Sequence, residues 1–144
     1  MNRLATIGYE AATQDAVIGR LRDAGVALLI DVRAVASSRR AGFSKTVLAA
    51  SLAAAGIDYV HLRGLGTPKP GREAARKGRI AEMHAIYEAH LAEPAAQLQL
   101  AQATEMARER PAALLCYEAD AGGCHRRIVA DRIREALGCE IVDL

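Results

Sequence analysis

The chain has 144 residues, a length that fits one domain with a buried core. Half of it is apolar, yet aromatics make up only 3% and Trp is absent, so the core must come from small aliphatic side chains. A net charge of +2 is too small to argue for a nucleic-acid or membrane partner, and three cysteines, an odd number, do not make a secreted disulfide scaffold.

Met1-Asn2-Arg3 leads straight into residues 4–7 (LATI), which read as a short buried strand ended by Gly8. No signal peptide precedes them and no segment approaches spanning length, so a reduced, cytoplasmic setting is expected. Val17, Ile18, Leu21 and Ala24 recur at helical spacing, with Gly25 as a stop signal. The run 27–32 (ALLIDV) has the pattern of a strand buried on both faces. Ser44 is placed to cap a helix carrying Val47, Leu48, Leu52 and Ala55 on one face, and Gly56 closes it. Residues 58–62 alternate well enough for a third strand.

The segment 63–78 breaks this rhythm. Its glycines, two prolines and basic run predict a long surface loop. Ile80, Met83, Tyr87 and Leu91 restart a helical stripe, and Pro94 begins another helix to residue 108. A fourth strand is expected over 112–117, a helix over 125–137 stopped by Gly138, and a last strand over 140–144. Strands alternating with helices predict an α/β fold, a single domain over residues 1–144. Its mostly parallel sheet of about five strands is flanked by helices, with a helical insertion between strands three and four.

Ligands of an open parallel sheet sit beyond the carboxyl ends of its strands. Four such ends carry chemistry here: Tyr9 with Glu10, Asp31 with Arg33, His61, and the stretch holding Cys116, Glu118, Cys124, His125, Arg126 and Arg127. Cys116 alone reads most simply as a small buried hydrophobe, but Glu118 and a second thiol are odd company for one. Cys124 falls at a helix start, where unpaired N–H groups, the helix dipole and two arginines favour a thiolate; packing beneath the loop is an equal alternative.

Asp31 and Arg33 read first as an ion pair closing a strand. His61 reads as readily as a hydrogen-bonding residue as an acid–base group, and His84 and His90 lie away from this edge. The basic run 69–79 is ordinarily solvated charge, although it could close over an anion. Cys116, Cys124 and His125 lack the close pairs of a structural zinc site, so neither a metal nor a cofactor is expected. No dinucleotide or Walker fingerprint occurs.

With these residues in view, the chain resembles the DUF488 family, small bacterial and archaeal proteins of undefined function. The likeness runs through Thr6-Ile7-Gly8-Tyr9-Glu10, Ile30-Asp31-Val32-Arg33 with Ser38 and Phe43-Ser44, and Gly56-Ile57-Asp58-Tyr59 with His61 and Leu65-Gly66. Its strongest carriers are Leu115-Cys116-Tyr117-Glu118 and Cys124-His125-Arg126. Ala11 stands where the family usually has Gly after Tyr-Glu, and Ala36 and Thr67 replace a common Pro and Gly. The resemblance implies an α/β domain and a shared Cys/Cys-His-Arg site, without an established activity. A more distant likeness to rhodanese-like domains would put Cys116 at the nucleophile position. The loop here is about twice as long as theirs, so sulfur transfer is not carried over.

Three functions compete. The first is a thiol-dependent enzyme for a small anionic or sulfur-containing substrate. Cys116 or Cys124 would be its nucleophile, Arg126 its anion clamp, and His125 or Glu118 its proton-transfer group. The second is a non-catalytic module binding an anion, a nucleotide or, on weaker grounds, a nucleic acid. The third treats Cys116 and Cys124 as a reversible redox pair.

Overall fold

A computed structural model of the chain describes residues 3–118 and 124–144. Its strands are β1 (Arg3–Gly8), β2 (Leu28–Asp31), β3 (Asp58–His61), β4 (Ala112–Cys116) and β5 (Glu140–Asp143). They form one sheet in the order β3-β2-β4-β1-β5, and every pairing is parallel. The helices are α1 (Gln14–Asp23), α2 (Lys45–Ala54), α3 (Lys69–Arg76), α4 (Ile80–Leu91), α5 (Pro94–Glu109) and α6 (His125–Leu137).

Side chains of a strand alternate between faces, and here both faces are apolar, so helices cover both. Leu28, Ile30, Ala112 and Leu114 share one core with Met83, Tyr87 and Leu91 of α4, the alanines of α5, and Val129 and Ile133 of α6. Ala5, Ile7, Leu29, Ala113 and Leu115 share the other with Val17 and Leu21 of α1 and Leu48 and Leu52 of α2. The small side chains named in the sequence let the α5 helix approach closely through Ala96, Ala103 and Ala107, all buried.

The expected loop over 63–78 is corrected. A 3-10 turn (Arg63–Leu65) and α3 occupy that segment. Pro70 lies in the first turn of α3, where its missing N–H has no helical partner to lose. Gly71 and Ala74 are buried, and a Cβ on Gly71 would come within 2.5 Å of Thr67 Cγ2. What reads as a turn signal is therefore a helix start and a close approach.

Ser44 stands at the position before α2 but does not cap it. Its hydroxyl instead donates to the Ser38 carbonyl and accepts from the Ser38 N–H, closing the preceding loop. Ala11 has φ +57°, the left-handed region that favours glycine. Gly66 passes so near the chain at Ala34 that a Cβ would sit 2.2 Å from its backbone.

This topology sets the site. The chain leaves β1 and β2 towards one face through α1 and α2, and leaves β4 towards the other through α6. Because β4 lies between β1 and β2, the departures diverge on both sides of Cys116. A crevice opens at such a switch.

Candidate functional site

The strand ends are tied together by the backbone: Glu10 N–H donates to the Tyr117 carbonyl at 2.8 Å, and Val32 N–H to that of Leu115 at 3.1 Å. Above them lies a pocket of about 550 Å³. The end of β1 contributes Tyr9 and Glu10, and the end of β2 contributes Arg33. From β4 and the start of α6 come Cys116, Glu118, Cys124 and His125. The far wall comes from α3, through Arg72 and Arg76.

Cys116 and Cys124 are joined as a disulfide, with an S–S distance of 2.12 Å. Cys139 is the free cysteine, buried at the far end of α6. Arg126, 1% exposed, brings Nη1 to 3.2 Å from Cys116 Sγ and also donates to the Glu118 carbonyl. Glu118 Oε2 lies 3.2 Å from the same sulfur. When the bond is reduced, the guanidinium favours negative charge on Cys116 and the Glu118 carboxylate, at the same distance, opposes it.

Cys124 is the residue before the first turn of α6, so its sulfur shares the positive end of that helix. Its neighbour His125 is buried, with Nε2 at 2.7 Å from the Val32 carbonyl and Nδ1 at 3.7 Å from Cys124 Sγ. A carbonyl only accepts, so Nε2 carries the hydrogen and the Nδ1 lone pair faces the sulfur. Burial, with a smaller push from the Arg126 charge, holds the imidazole down to about 4, so it is neutral near neutral pH. Although the sequence offers no close pair of metal ligands among these three residues, one ligand atom from each lies within 4.8 Å of the others. A strand end and a helix start achieve in space what the spacing does not show.

Asp31 and Arg33 form a buried ion pair at 2.7 Å. Asp31 also accepts from the Arg33 N–H at 3.0 Å and from the Tyr59 hydroxyl at 2.5 Å. Arg33 Nη1 reaches Tyr9 Oη at 3.1 Å and the Phe43 carbonyl at 2.8 Å. Burial opposes the charge on Arg33, but the Asp31 carboxylate outweighs it and raises the guanidinium's hold on its proton. Tyr9 in turn stacks on Phe43 at 4.4 Å and meets Tyr117 edge-on at 5.3 Å. Asp31 therefore supports the pocket wall from beneath, and Arg33 forms that wall.

The remaining expected residues lie elsewhere. His61 Nε2 is held by the Arg33 carbonyl at 2.7 Å, away from the pocket lining. Arg127 is half-buried between Asp131 at 3.2 Å and Asp143 at 3.5 Å. Residues 119–123 of the expected loop lie outside the described residues.

Residues 13–133 match a family model described as a domain of unknown function, DUF488. The chain belongs to the DUF488 family. No curated protein and no solved structure matches it, so the rhodanese likeness gains no support.

In this DUF488 protein, Arg72 and Arg76 line the pocket; the sequence reading put them in a surface loop of ordinarily solvated charge that could close over an anion, without singling them out. Their spacing of four, one face of a helix, is the signal that would have found them. Arg72 also donates to the Thr67 carbonyl at 2.9 Å, which holds it along the wall. Among the described residues, no helix is long and apolar enough to cross a membrane.

Proposed function

We propose that this protein is a thiol-dependent enzyme acting on a small anionic or sulfur-containing substrate, with Cys116 and Cys124 as its reacting pair. The observation that carries this reading is the placement of both sulfurs in one arginine-walled pocket, with the Arg126 guanidinium 3.2 Å from Cys116 Sγ. Arg126 favours the Cys116 thiolate, so Cys116 attacks and Cys124 resolves. For a substrate R–S–X, the Cys116 thiolate forms a sulfur–sulfur bond to R–S and X leaves as an anion. Cys124 then attacks Cys116 Sγ, closes the disulfide, and releases R–S with the proton of the Cys124 thiol. The pair gives up two electrons, and an external thiol of a reducing, cytoplasmic setting restores it.

Arg33, Arg72 and Arg76 supply the charge that would hold an anionic substrate. The same wall supports the second reading, a non-catalytic anion-binding module. The arginines of α6 argue for a small ligand over nucleic acid, because Arg127 and Arg134 pair with Asp131, and Arg132 with Glu88.

Differential alkylation of the reduced protein tests the enzyme. Cys116 is expected to label at least about tenfold faster than Cys139 at neutral pH, and intact mass to fall by ~2 Da on reoxidation. Equal, slow labelling of all cysteines would overturn the reading. A Cys116→Ser, Cys124→Ser double variant that keeps full affinity for an anion in the pocket would favour the binding module.

A further inference from the structure

The same pair of thiols has a second neighbour whose chemistry the exchange reaction does not use. His125 is locked with Nε2 donating to the Val32 carbonyl, and its Nδ1 lone pair is aimed at Cys124 Sγ. A ring nitrogen fixed in this way by a backbone carbonyl on its opposite side is the usual outer support of a metal-binding histidine. The Nδ1 to Sγ distance is 3.7 Å. A tetrahedral zinc ion with bonds of ~2.3 Å to sulfur and ~2.0 Å to nitrogen needs roughly 3.6 Å between them. Cys116 Sγ completes a group of three ligand atoms within 4.8 Å of one another, all from buried residues.

We propose that the reduced Cys116 and Cys124 thiolates, together with His125 Nδ1, form a zinc site with one open position, and that the Cys116–Cys124 disulfide excludes the metal. The proposal concerns the regulation of the thiol site described above and rests on that site being redox-active.

Charge and burial agree with it. Two thiolates cancel the two charges of the ion, so a neutral unit occupies the buried ground between β4 and α6. Arg126 then acts as an N–H donor to the Cys116 sulfur, and not as an opposing bare charge. Three protein ligands leave the fourth position facing the pocket, the pattern of open zinc sites as against closed structural ones.

The redox gate follows from electron counting. A disulfide sulfur has no thiolate charge to give, so the oxidised pair leaves His125 as a lone ligand. When a small-molecule disulfide R–S–S–R oxidises the loaded site, the two thiolates transfer two electrons. The protein S–S bond forms, the substrate S–S bond breaks into two R–S anions, and the zinc ion departs hydrated. Each cycle thus exchanges one metal ion for one disulfide.

The test uses the intact chain, reduced and freed of metal, titrated with Co2+ and with Zn2+ against a chromogenic chelator. One cobalt per chain is expected, with a near-ultraviolet sulfur-to-cobalt band and the intense visible bands of a tetrahedral site. Oxidation should abolish both and release the metal. Cys124→Ser and His125→Gln should each weaken zinc binding by at least ~100-fold, the upper end of what even outer partners cost. Cys139→Ser, outside the cluster, should bind as the parent does. Reduced parent protein that shows no sulfur-to-cobalt band, or that binds equally well once oxidised, overturns the proposal even if the variants fail to fold. Fast alkylation of metal-free Cys116 would then still stand, so failure here is distinct from failure of the thiol enzyme.

Discussion

Arg126 and Cys116 meet in the interior, guanidinium Nη1 to sulfur at 3.2 Å, although one closes a strand and the other lies in the first turn of a helix. Both are about 1% exposed, so little solvent screens the contact. Arg126→Met keeps the length of the side chain and removes the charge. In the reduced variant, alkylation of Cys116 at neutral pH should slow by about tenfold, the effect of one unit of thiolate equilibrium. Circular dichroism checks that the variant is folded. An unchanged rate in folded protein would show that Arg126 does not activate this sulfur.

The buried imidazole of His125 gives a pH dependence with a definite sign. In the oxidised, metal-free protein, burial lowers it from 6.5 to about 4, while the unfolded chain keeps the ordinary value. Above about pH 6.5 neither state binds this proton and the full stability is present. Below that, the unfolded chain binds it and the folded one does not, so stability falls until about pH 4 and then levels. The shift corresponds to on the order of 3 kcal/mol. Urea midpoints at about pH 7 and about pH 5 should decline more in the parent than in His125→Gln. Parallel declines would assign the effect to other groups.

Asp31 is the sole carboxylate on the buried Arg33 guanidinium among the described contacts. Asp31→Asn leaves that charge facing neutral acceptors and should cost roughly 3–5 kcal/mol in urea denaturation. Arg127→Ala, which breaks ion pairs whose members are more than a third exposed, should cost no more than about 1 kcal/mol. Similar losses in the two variants would mean that burial does not set the difference.

Ala11 holds φ +57° on an exposed turn directly after Tyr9 and Glu10. A left-handed alanine costs ~1–2 kcal/mol relative to the usual helix sense. Ala11→Gly removes that cost and gives back ~0.4–1 kcal/mol in unfolded-chain entropy. The net expectation is a gain of about 0.5–1 kcal/mol, read as a higher melting temperature. A lower one would place the strain elsewhere.

Much of this arrangement is legible in the sequence. The runs 27–32 and 112–117 read as strands, the first buried on both faces, and β2 and β4 lie within them with helices covering both faces. The glycine position that the family likeness marked at Ala11 proves to be a left-handed one. The failures have a common cause: local signals were outweighed by distant partners. Pro70 and Gly71 resemble a loop, but buried Ala74 and the fit of Gly71 against Thr67 make a helix there. Ser44 has the right side chain for a cap, yet Ser38 engages it first. The strand-end argument groups Cys116, Cys124 and His125 but does not say how close they come, and the structure brings one ligand atom of each within 4.8 Å. Convergence across a strand, a turn and a helix is a property of the topology.

The position of β4 also bears on how the molecule comes to exist. β1 and β2 never pair with each other; Leu4 and Leu28 both wait for Ala112. A nascent chain ending before residue 112 thus has no continuous sheet, whatever helices it has made, and these long-range closures make assembly slow. The arrival of β4 joins the two halves and, in the same event, delivers Cys116 to its place. All three cysteines lie at or beyond residue 116, so a half-made chain presents no thiol at all, and the reacting pair appears only when the fold is nearly complete.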